Sequence, residues 1–164
     1  MKIKALVVAA VMATTLALVG CGGTGGQASE SSEADWSDFP QETLKLYDSA
    51  PADYHDLPTV TPDELKSAID SGEQMVIVDT NTKSMYDDGH VPGAISIPWN
   101  MSGFKQDPNL PRGVKLYFYC VCADEEDSGH MGLSAVKDWG YRNVVLLKGG
   151  TPAWEAAGYE LVKD

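Results

Sequence analysis

The chain has 164 residues, of which 43% are apolar, with three cysteines and a formal net charge of −12. This length and composition are typical of one folded domain with a buried core, and they exclude a wholly disordered chain. The negative charge argues against binding to nucleic acid or to anionic lipid, and three cysteines are too few for a disulfide scaffold.

The first twenty residues are predicted to be a leader rather than part of the fold. Lys2 and Lys4 precede an uncharged, largely apolar run over 5–19, which is the arrangement of a secretory signal and is too short for a comfortable transmembrane helix. The run ends in Leu18-Val19-Gly20-Cys21, which resembles the lipobox of bacterial lipoproteins. That resemblance implies cleavage before Cys21 and lipidation of this cysteine, palmitate included; the alternative is an ordinary signal peptide with an unrelated cysteine.

Residues 21–39 are predicted to be a flexible tether, because they are rich in Gly, Ser, Gln and acidic residues. Residues 40–164 are predicted to form the folded domain. Loss of residues 1–20 removes two lysines and no acid, so the formal charge changes from −12 to −14. We therefore expect a protein of the bacterial cell envelope, outside the cytoplasm, held to a membrane by lipid on Cys21.

The first predicted elements of the domain are two helices. The segment 41–48 is predicted to be a short helix with Leu44, Leu46 and Tyr47 available for packing. A second helix is predicted to begin after Thr61, because this residue can cap it, Pro62 suits the first turn and Glu64 completes a capping box. It is predicted to end at Gly72.

Four short apolar runs are predicted to be strands: 75–78, 94–97, 114–120 and 143–147. Such runs are typical of strands covered on both faces in a parallel sheet. Further helices are predicted over 128–139 and 151–157. This alternation predicts an α/β fold with a central, mostly parallel sheet of about five strands and helices on both faces, and places a ligand at the carboxyl ends of the strands.

Cys120 closes the third predicted strand, and a loop leads from it to the next helix. The loop consists of Val121, Cys122, Ala123, Asp124, Glu125, Glu126, Asp127 and Ser128. Loop amides and a helix N-terminus both favour negative charge on a sulfur in this position. The placement by itself suits either a nucleophilic cysteine or a buried core cysteine.

Several motifs, in order along the chain, resemble those of the rhodanese-like domain, the fold of sulfurtransferases. They are Val76-Ile77-Val78-Asp79, Gly89-His90-Val91-Pro92-Gly93-Ala94, Tyr119-Cys120, Gly140-Tyr141-Arg142-Asn143-Val144 and Leu147-Lys148-Gly149-Gly150. The resemblance implies that Cys120 accepts a sulfane sulfur as a persulfide, cradled by the loop amides, and passes it to a nucleophile. It implies mainly structural roles for Asp79 and His90. It also implies a monomer that takes a small sulfur donor and a thiol or other nucleophilic acceptor, with no cofactor and no metal.

Two departures from the family pattern bear on function. Asn81 and Met85 stand where many active members have an Arg and a Glu. The loop after Cys120 is long and has no basic residue but four acidic ones, which would repel thiosulfate, a dianion. The absence of Arg also sets the loop apart from phosphatases and arsenate reductases of the family. A non-catalytic module whose acidic loop binds a basic protein partner is therefore an alternative to the sulfurtransferase or sulfane-sulfur carrier.

Cys122 adds a second sulfur two residues after Cys120, and three interpretations stay open. It resolves a persulfide or sulfenic acid on Cys120 as a disulfide, which would make the pair a thiol redox site. It is a bystander whose side chain points away. Or it joins Cys120, His130 and an acidic residue in binding a soft metal, although the spacing matches no strong metal motif.

Overall fold

The computed structural model describes residues 35–99 and 107–163. The predicted leader, Cys21 and most of the predicted tether lie outside the described residues. Among the described residues, no helix combines the length and apolar character that crossing a membrane requires.

A sheet of five parallel strands forms the centre of the described chain, in the order β1-β5-β4-β2-β3. The strands are β1 (Thr59–Val60), β2 (Met75–Asp79), β3 (Ala94–Ser96), β4 (Lys115–Tyr119) and β5 (Val144–Leu147). In the register of the inner strands, Val78 lies beside Phe118, and Asp79 lies beside Tyr119. The predicted α/β fold with a parallel sheet is confirmed.

Four helices and one short 3-10 helix pack around this sheet in the described ranges. They are the 3-10 helix Tyr54–Asp56, α1 (Pro62–Ser71), α2 (Lys83–Asp88), α3 (Glu126–Asp138) and α4 (Gly150–Ala156). The capping box between Thr61 and Glu64 is present, and Gly72 ends α1 in the left-handed region with φ of 70°. Both signals acted as predicted because they depend only on neighbouring residues.

The sheet has an apolar core on each face, because successive side chains of a strand point to opposite sides. On one face, Val78 and Phe118 pack with Met131 and Val136 of α3. On the other face, a second cluster joins strand residues to the remaining helices through Leu65, Tyr86 and Trp154. Helices therefore cover both faces, as the uninterrupted apolar strands predicted.

The N-terminal part of the described chain corrects one expectation. The segment 41–48 contains no helix; the Leu44 and Leu46 amides donate instead to the carbonyls of Arg112 (2.7 Å) and Arg142 (2.8 Å). Tertiary hydrogen bonds thus replace the helical ones. Trp36 and Phe39 also pack against the core.

Other elements differ from the prediction in their bounds or were not predicted. The helix expected over 128–139 begins two residues earlier, at Glu126. Neither β1 nor α2 was predicted. The two residues of β1 are too few for a periodic pattern, and in α2 only Tyr86 is buried, so the segment carries little apolar periodicity.

Candidate active site

The candidate site lies at the carboxyl ends of β2 and β4, two adjacent strands in the middle of the sheet. β2 ends at Asp79, and β4 ends at Tyr119, directly before Cys120. The Thr80 amide donates to the Tyr119 carbonyl (2.9 Å), as does the Thr80 hydroxyl (2.9 Å). These bonds extend the pairing of the two strands to the point where Cys120 begins the loop.

The side chain of Cys120 is buried, and backbone atoms of the loop that follows it contact its sulfur. The residue is 0% exposed. The Cys122 amide donates to the Cys120 Sγ (3.3 Å), and this sulfur lies 3.7 Å from the Cys122 carbonyl oxygen. One amide of the predicted cradle therefore points at the sulfur. An amide aimed at a sulfur favours negative charge there.

Residues from two other parts of the chain hold the start of the loop. The Val121 amide donates to Asn81 Oδ1 (2.8 Å), and the Thr151 amide donates to the Cys120 carbonyl (3.0 Å). Gly150 lies so close that a Cβ at this position would come within 2.1 Å of the Cys120 carbonyl oxygen. The chain directly after Cys120 is thus enclosed by the end of β2 and the start of α4.

Asp79 is buried beneath this loop and receives hydrogen bonds on both carboxylate oxygens. Oδ1 accepts from the Asn81 amide (2.8 Å), and Oδ2 accepts from the Tyr119 hydroxyl (2.7 Å). The same hydroxyl accepts from the Val91 amide (3.0 Å). Burial raises the pKa of Asp79, although the bonds from Tyr119 and Asn81 work in the opposite direction. These contacts join Asp79 to the end of β4 and to Asn81.

His90, predicted to be structural, is buried away from solvent and stacks on a tyrosine. Its ring lies 3.8 Å from that of Tyr86 at an angle of 3°, and its Nδ1 is 3.0 Å from the Tyr86 carbonyl oxygen. The Tyr86 hydroxyl donates to the Ala94 carbonyl (2.8 Å), and the His90 backbone pairs with Val162. Every one of these contacts joins segments of the fold.

The four acidic residues of the loop do not share one environment. Glu125 adopts the left-handed conformation (φ 58°), and its carboxylate accepts a hydrogen bond from the Gly149 amide. Asp127 places Oδ2 3.6 Å from the Cys122 Sγ. Asp124 and Glu126 are exposed. The acidic run therefore divides into two inward-facing residues and two that face solvent.

The exposed pair of carboxylates lies near the ring of Tyr54. This ring packs so closely on Gly129 of α3 that a Cβ there would come within 2.3 Å of it. Burial of the ring raises the pKa of Tyr54, and the negative charges of Asp124 and Glu126 raise it further. Asp124 and Glu126 thus form a negative surface beside the ring of Tyr54.

The sulfur of Cys122 is half-buried between Cys120 and Asp127. Burial raises the pKa of Cys122 to about 12, and its interaction with Cys120 acts in the same direction. The thiol therefore stays protonated at neutral pH, and a protonated thiol is a poor attacking group in disulfide exchange.

The soft-metal interpretation finds no support in the described part of the chain. No group of three or more His, Cys, Asp and Glu side chains there is placed to hold a metal ion. His130 is exposed and lies against aromatic rings instead, 4.8 Å from that of Tyr54 and 6.4 Å from that of Trp99.

Comparison with known proteins agrees with this arrangement. The model of the rhodanese-like domain family matches residues 61–157, which is more than half of the chain. The chain belongs to the rhodanese-like domain family. The match covers both Asp79 and the whole loop after Cys120.

Relatives of the rhodanese-like domain include both longer proteins and single domains. A Mycobacterium tuberculosis protein described as probable adenylyltransferase/sulfurtransferase MoeZ is 31% identical over 97 residues, or 58% of this chain and 24% of that protein. The chain thus spans about a quarter of the length of this curated relative. A Rhodopseudomonas palustris structure, of unknown function and described as a possible tyrosine phosphatase, is 28% identical, with a TM-score of 0.54 over 66% of this chain and 86% of that one. The solution structure of an Anabaena rhodanese-like domain is also 28% identical, with a TM-score of 0.51 over 65% and 80% of the two chains.

Sequence reasoning missed three residues that shape the site of this rhodanese-like domain. Asn81 was noted only as a departure from the family pattern, together with Met85. The structure separates the two, because Asn81 is buried against the loop whereas Met85 is 41% exposed. Gly150 entered the sequence analysis only as part of a family motif, and Thr151 only as the first residue of a predicted helix. No sequence signal showed that all three meet at Cys120, since this depends on the order of the strands.

Proposed function

We propose that this protein is a membrane-anchored, extracytoplasmic sulfurtransferase or sulfane-sulfur carrier that forms a persulfide on Cys120. The observation that carries the proposal is the place of this cysteine, directly after a central strand and with the Cys122 amide donating to its sulfur. The description of the related MoeZ protein as a probable sulfurtransferase supports the same class of chemistry. Anchoring and location rest on the lipobox-like motif that ends at Cys21.

The proposed reaction consists of two displacements without net oxidation. The Cys120 thiolate attacks the outer sulfur of a donor R–S–SH; a bond forms between the two sulfurs, and R–S⁻ leaves with the electron pair of the broken S–S bond. An acceptor thiolate then attacks the outer sulfur of the Cys120 persulfide. The S–S bond of the persulfide breaks, and Cys120 leaves as the thiolate, ready for another donor.

Access to the sulfur sets a condition on both displacements. Because Cys120 is 0% exposed beneath the backbone of Cys122, we expect the loop to move aside when donor or acceptor enters. The Glu125 carboxylate accepts a hydrogen bond from the Gly149 amide. The loop therefore moves either with this bond intact or after breaking it.

The charge of the loop favours some donors over others. Asp124 and Glu126 are exposed, and no basic side chain lies between Cys120 and the start of α3. Like charges disfavour the approach of a dianion such as thiosulfate. We therefore propose uncharged or zwitterionic persulfides as better donors than thiosulfate.

The test is transfer of sulfur to the reduced full-length protein. We expect incubation with a low-molecular-weight persulfide or polysulfide to add the mass of one sulfur atom to the wild type and to Cys122→Ser, but not to Cys120→Ser. Peptide mass spectrometry then locates the added sulfur. A wild-type protein that takes sulfur from no donor, or a Cys120→Ser variant that takes as much as the wild type, would overturn the proposal.

A second candidate function is supported by the negative surface around Tyr54. We propose, as the alternative, a non-catalytic module that binds a basic protein partner through Asp124 and Glu126. A Lys-rich peptide serves as the probe in a binding titration at low salt. Binding that survives Cys120→Ala but is lost in the double variant Asp124→Asn/Glu126→Gln supports this alternative, whereas binding unaffected by the double variant contradicts it.

A further inference from the structure

The peptide unit between Cys120 and Val121 is held at both of its polar ends. Its carbonyl oxygen accepts from the Thr151 amide (3.0 Å), and its N–H donates to Asn81 Oδ1 (2.8 Å). A peptide unit is planar, so two bonds at opposite ends fix the orientation of the whole plane. That orientation sets the direction in which the chain leaves Cys120, and with it the place of the Cys122 amide.

The carbonyl side of this peptide unit is fixed by backbone and by close packing. Thr151 donates from its main chain, so a change of its side chain leaves the donor in place. Gly150 leaves no room for a Cβ, which would come within 2.1 Å of the Cys120 carbonyl oxygen. This side is therefore a property of the fold at the start of α4.

The N–H side of the peptide unit depends on one side chain. Asn81 is 7% exposed, and its backbone amide donates to the Asp79 carboxylate (2.8 Å). This bond anchors Asn81 to the end of β2. Only the oxygen of its side-chain amide can accept from the Val121 N–H, so the orientation of that amide is fixed. The side chain of Val121 is 43% exposed and gives the loop little hold of its own.

We infer that Asn81 is a positioning residue for Cys120. It holds the 120–121 peptide unit so that the Cys122 amide covers and contacts the sulfur. Without its oxygen, the Val121 N–H loses its partner, the peptide unit turns toward water, and the loop opens over Cys120. The significance of this for sulfur transfer rests on the proposed function, whereas the positioning itself does not.

Alkylation of Cys120 in the native full-length protein tests the inference. Neutral iodoacetamide is the probe, and peptide mass spectrometry separates Cys120 from Cys21 and Cys122. We expect the alkylation rate of Cys120 to rise about tenfold in Asn81→Ala, the size expected from loss of one partly buried hydrogen bond.

Asn143 provides the matched control. It is also a buried asparagine with a side chain bonded to backbone, through Nδ2 to the carbonyls of Pro111 (3.0 Å) and Val114 (2.5 Å). It lies directly before β5, at the amino ends of the strands, whereas the site lies at their carboxyl ends. We expect Asn143→Ala to lower the melting temperature without a comparable rise in Cys120 alkylation, so general loss of stability is separated from loss of positioning.

Two results would overturn the inference: equal alkylation rates in Asn81→Ala and wild type, or a rise in Asn143→Ala as large as that in Asn81→Ala. Persulfide uptake is measured on the same variants. A wild type that takes up no sulfur refutes the proposed function and leaves the alkylation contrast intact. Sulfur uptake together with unchanged alkylation in Asn81→Ala refutes the positioning role alone.

Discussion

Asp79 and Asp124 both lie at the carboxyl edge of the sheet, in opposite surroundings. Asp79 is buried beneath the loop and receives bonds from Asn81 and Tyr119. Asp124 is exposed on the loop itself and acts on the ring of Tyr54 through its charge. The buried region holds the strand ends in place, whereas the exposed region sets the field that an incoming molecule meets.

This difference predicts which substitutions change the free energy of unfolding. A buried polar group is usually hydrogen-bonded. When its partner is removed, the group that remains is buried without a hydrogen bond, which lowers the free energy of unfolding by its full desolvation cost. An exposed carboxylate is hydrated and screened, so its removal changes stability little. Glu125 lies between these limits, because it belongs to the exposed loop but bonds inward to Gly149.

The largest effect is expected at the boundary between the two regions, in Gly150→Ala. The new Cβ meets the Cys120 carbonyl oxygen, and φ is +55°. Overpacking and left-handed strain together predict a loss of about 3 kcal/mol in the free energy of unfolding. Gly72→Ala is the control, since φ is +70° there but nothing lies within 4 Å of the added Cβ. Urea unfolding that gives equal losses for the two variants would show that the contact with Cys120 is not a tight one.

Asp79→Ala is expected to cost about 2 kcal/mol, because the Tyr119 hydroxyl and the Asn81 amide lose a buried acceptor. The control is Asp87→Ala, at an exposed carboxylate that pairs with Lys83 on α2, for which we expect a change below about 0.5 kcal/mol. Urea unfolding at neutral pH measures both. Similar losses in the two variants would erase the contrast between buried and exposed carboxylates.

Glu125→Ala is expected to cost about 1 kcal/mol, because the Gly149 amide loses its acceptor. Its neighbour Glu126 is exposed, and Glu126→Ala is expected to change stability by less than about 0.5 kcal/mol. The measurement is again urea unfolding of the two variants in parallel. An equal response would place Glu125 with the exposed pair and remove its inward role.

The pH dependence of the free energy of unfolding tests the raised pKa of Asp79, with Asn in its place as a reference of similar size. Because the pKa of Asp79 is raised in the folded protein, its contribution is fully present below the ordinary Asp pKa of about 3.9 and is lost as pH rises through the folded value. Asn at this position does not titrate. We expect the free energy of unfolding of the wild type, minus that of Asp79→Asn, to fall as pH rises from acid to neutral. A difference that stays constant or grows with pH would contradict the raised pKa.

The smallest effect concerns the exposed side of the comparison. In the double variant Asp124→Asn/Glu126→Gln, we expect the pKa of Tyr54 to move down only part of the way, because burial is the larger cause of its elevation. Absorbance titration at low salt measures this, with the Tyr54→Phe protein subtracted so that the other tyrosines cancel. A pKa unchanged by the double variant would place these carboxylates too far from the ring to matter.

Much of the fold was predictable because its signals are local. The apolar runs of β2 and β4 and the caps of α1 depend on residues a few positions apart, and each of these elements formed near its predicted place. The segment 41–48 failed for the converse reason. Its leucine amides bond to Arg112 and Arg142, which lie far away in the sequence.

The sequence by itself determined the family, the parallel sheet and the place of Cys120 after a central strand, because these follow from apolar periodicity and ordered motifs. Only the tertiary structure decided what surrounds that cysteine. The strand order places β2 beside β4, and it thereby brings Asn81 to the chain that follows Cys120. It also decided that Glu125 turns inward while Asp124 faces water. Four similar carboxylates in a row carry no local signal that distinguishes them, since each acquires its role from the segment packed against it.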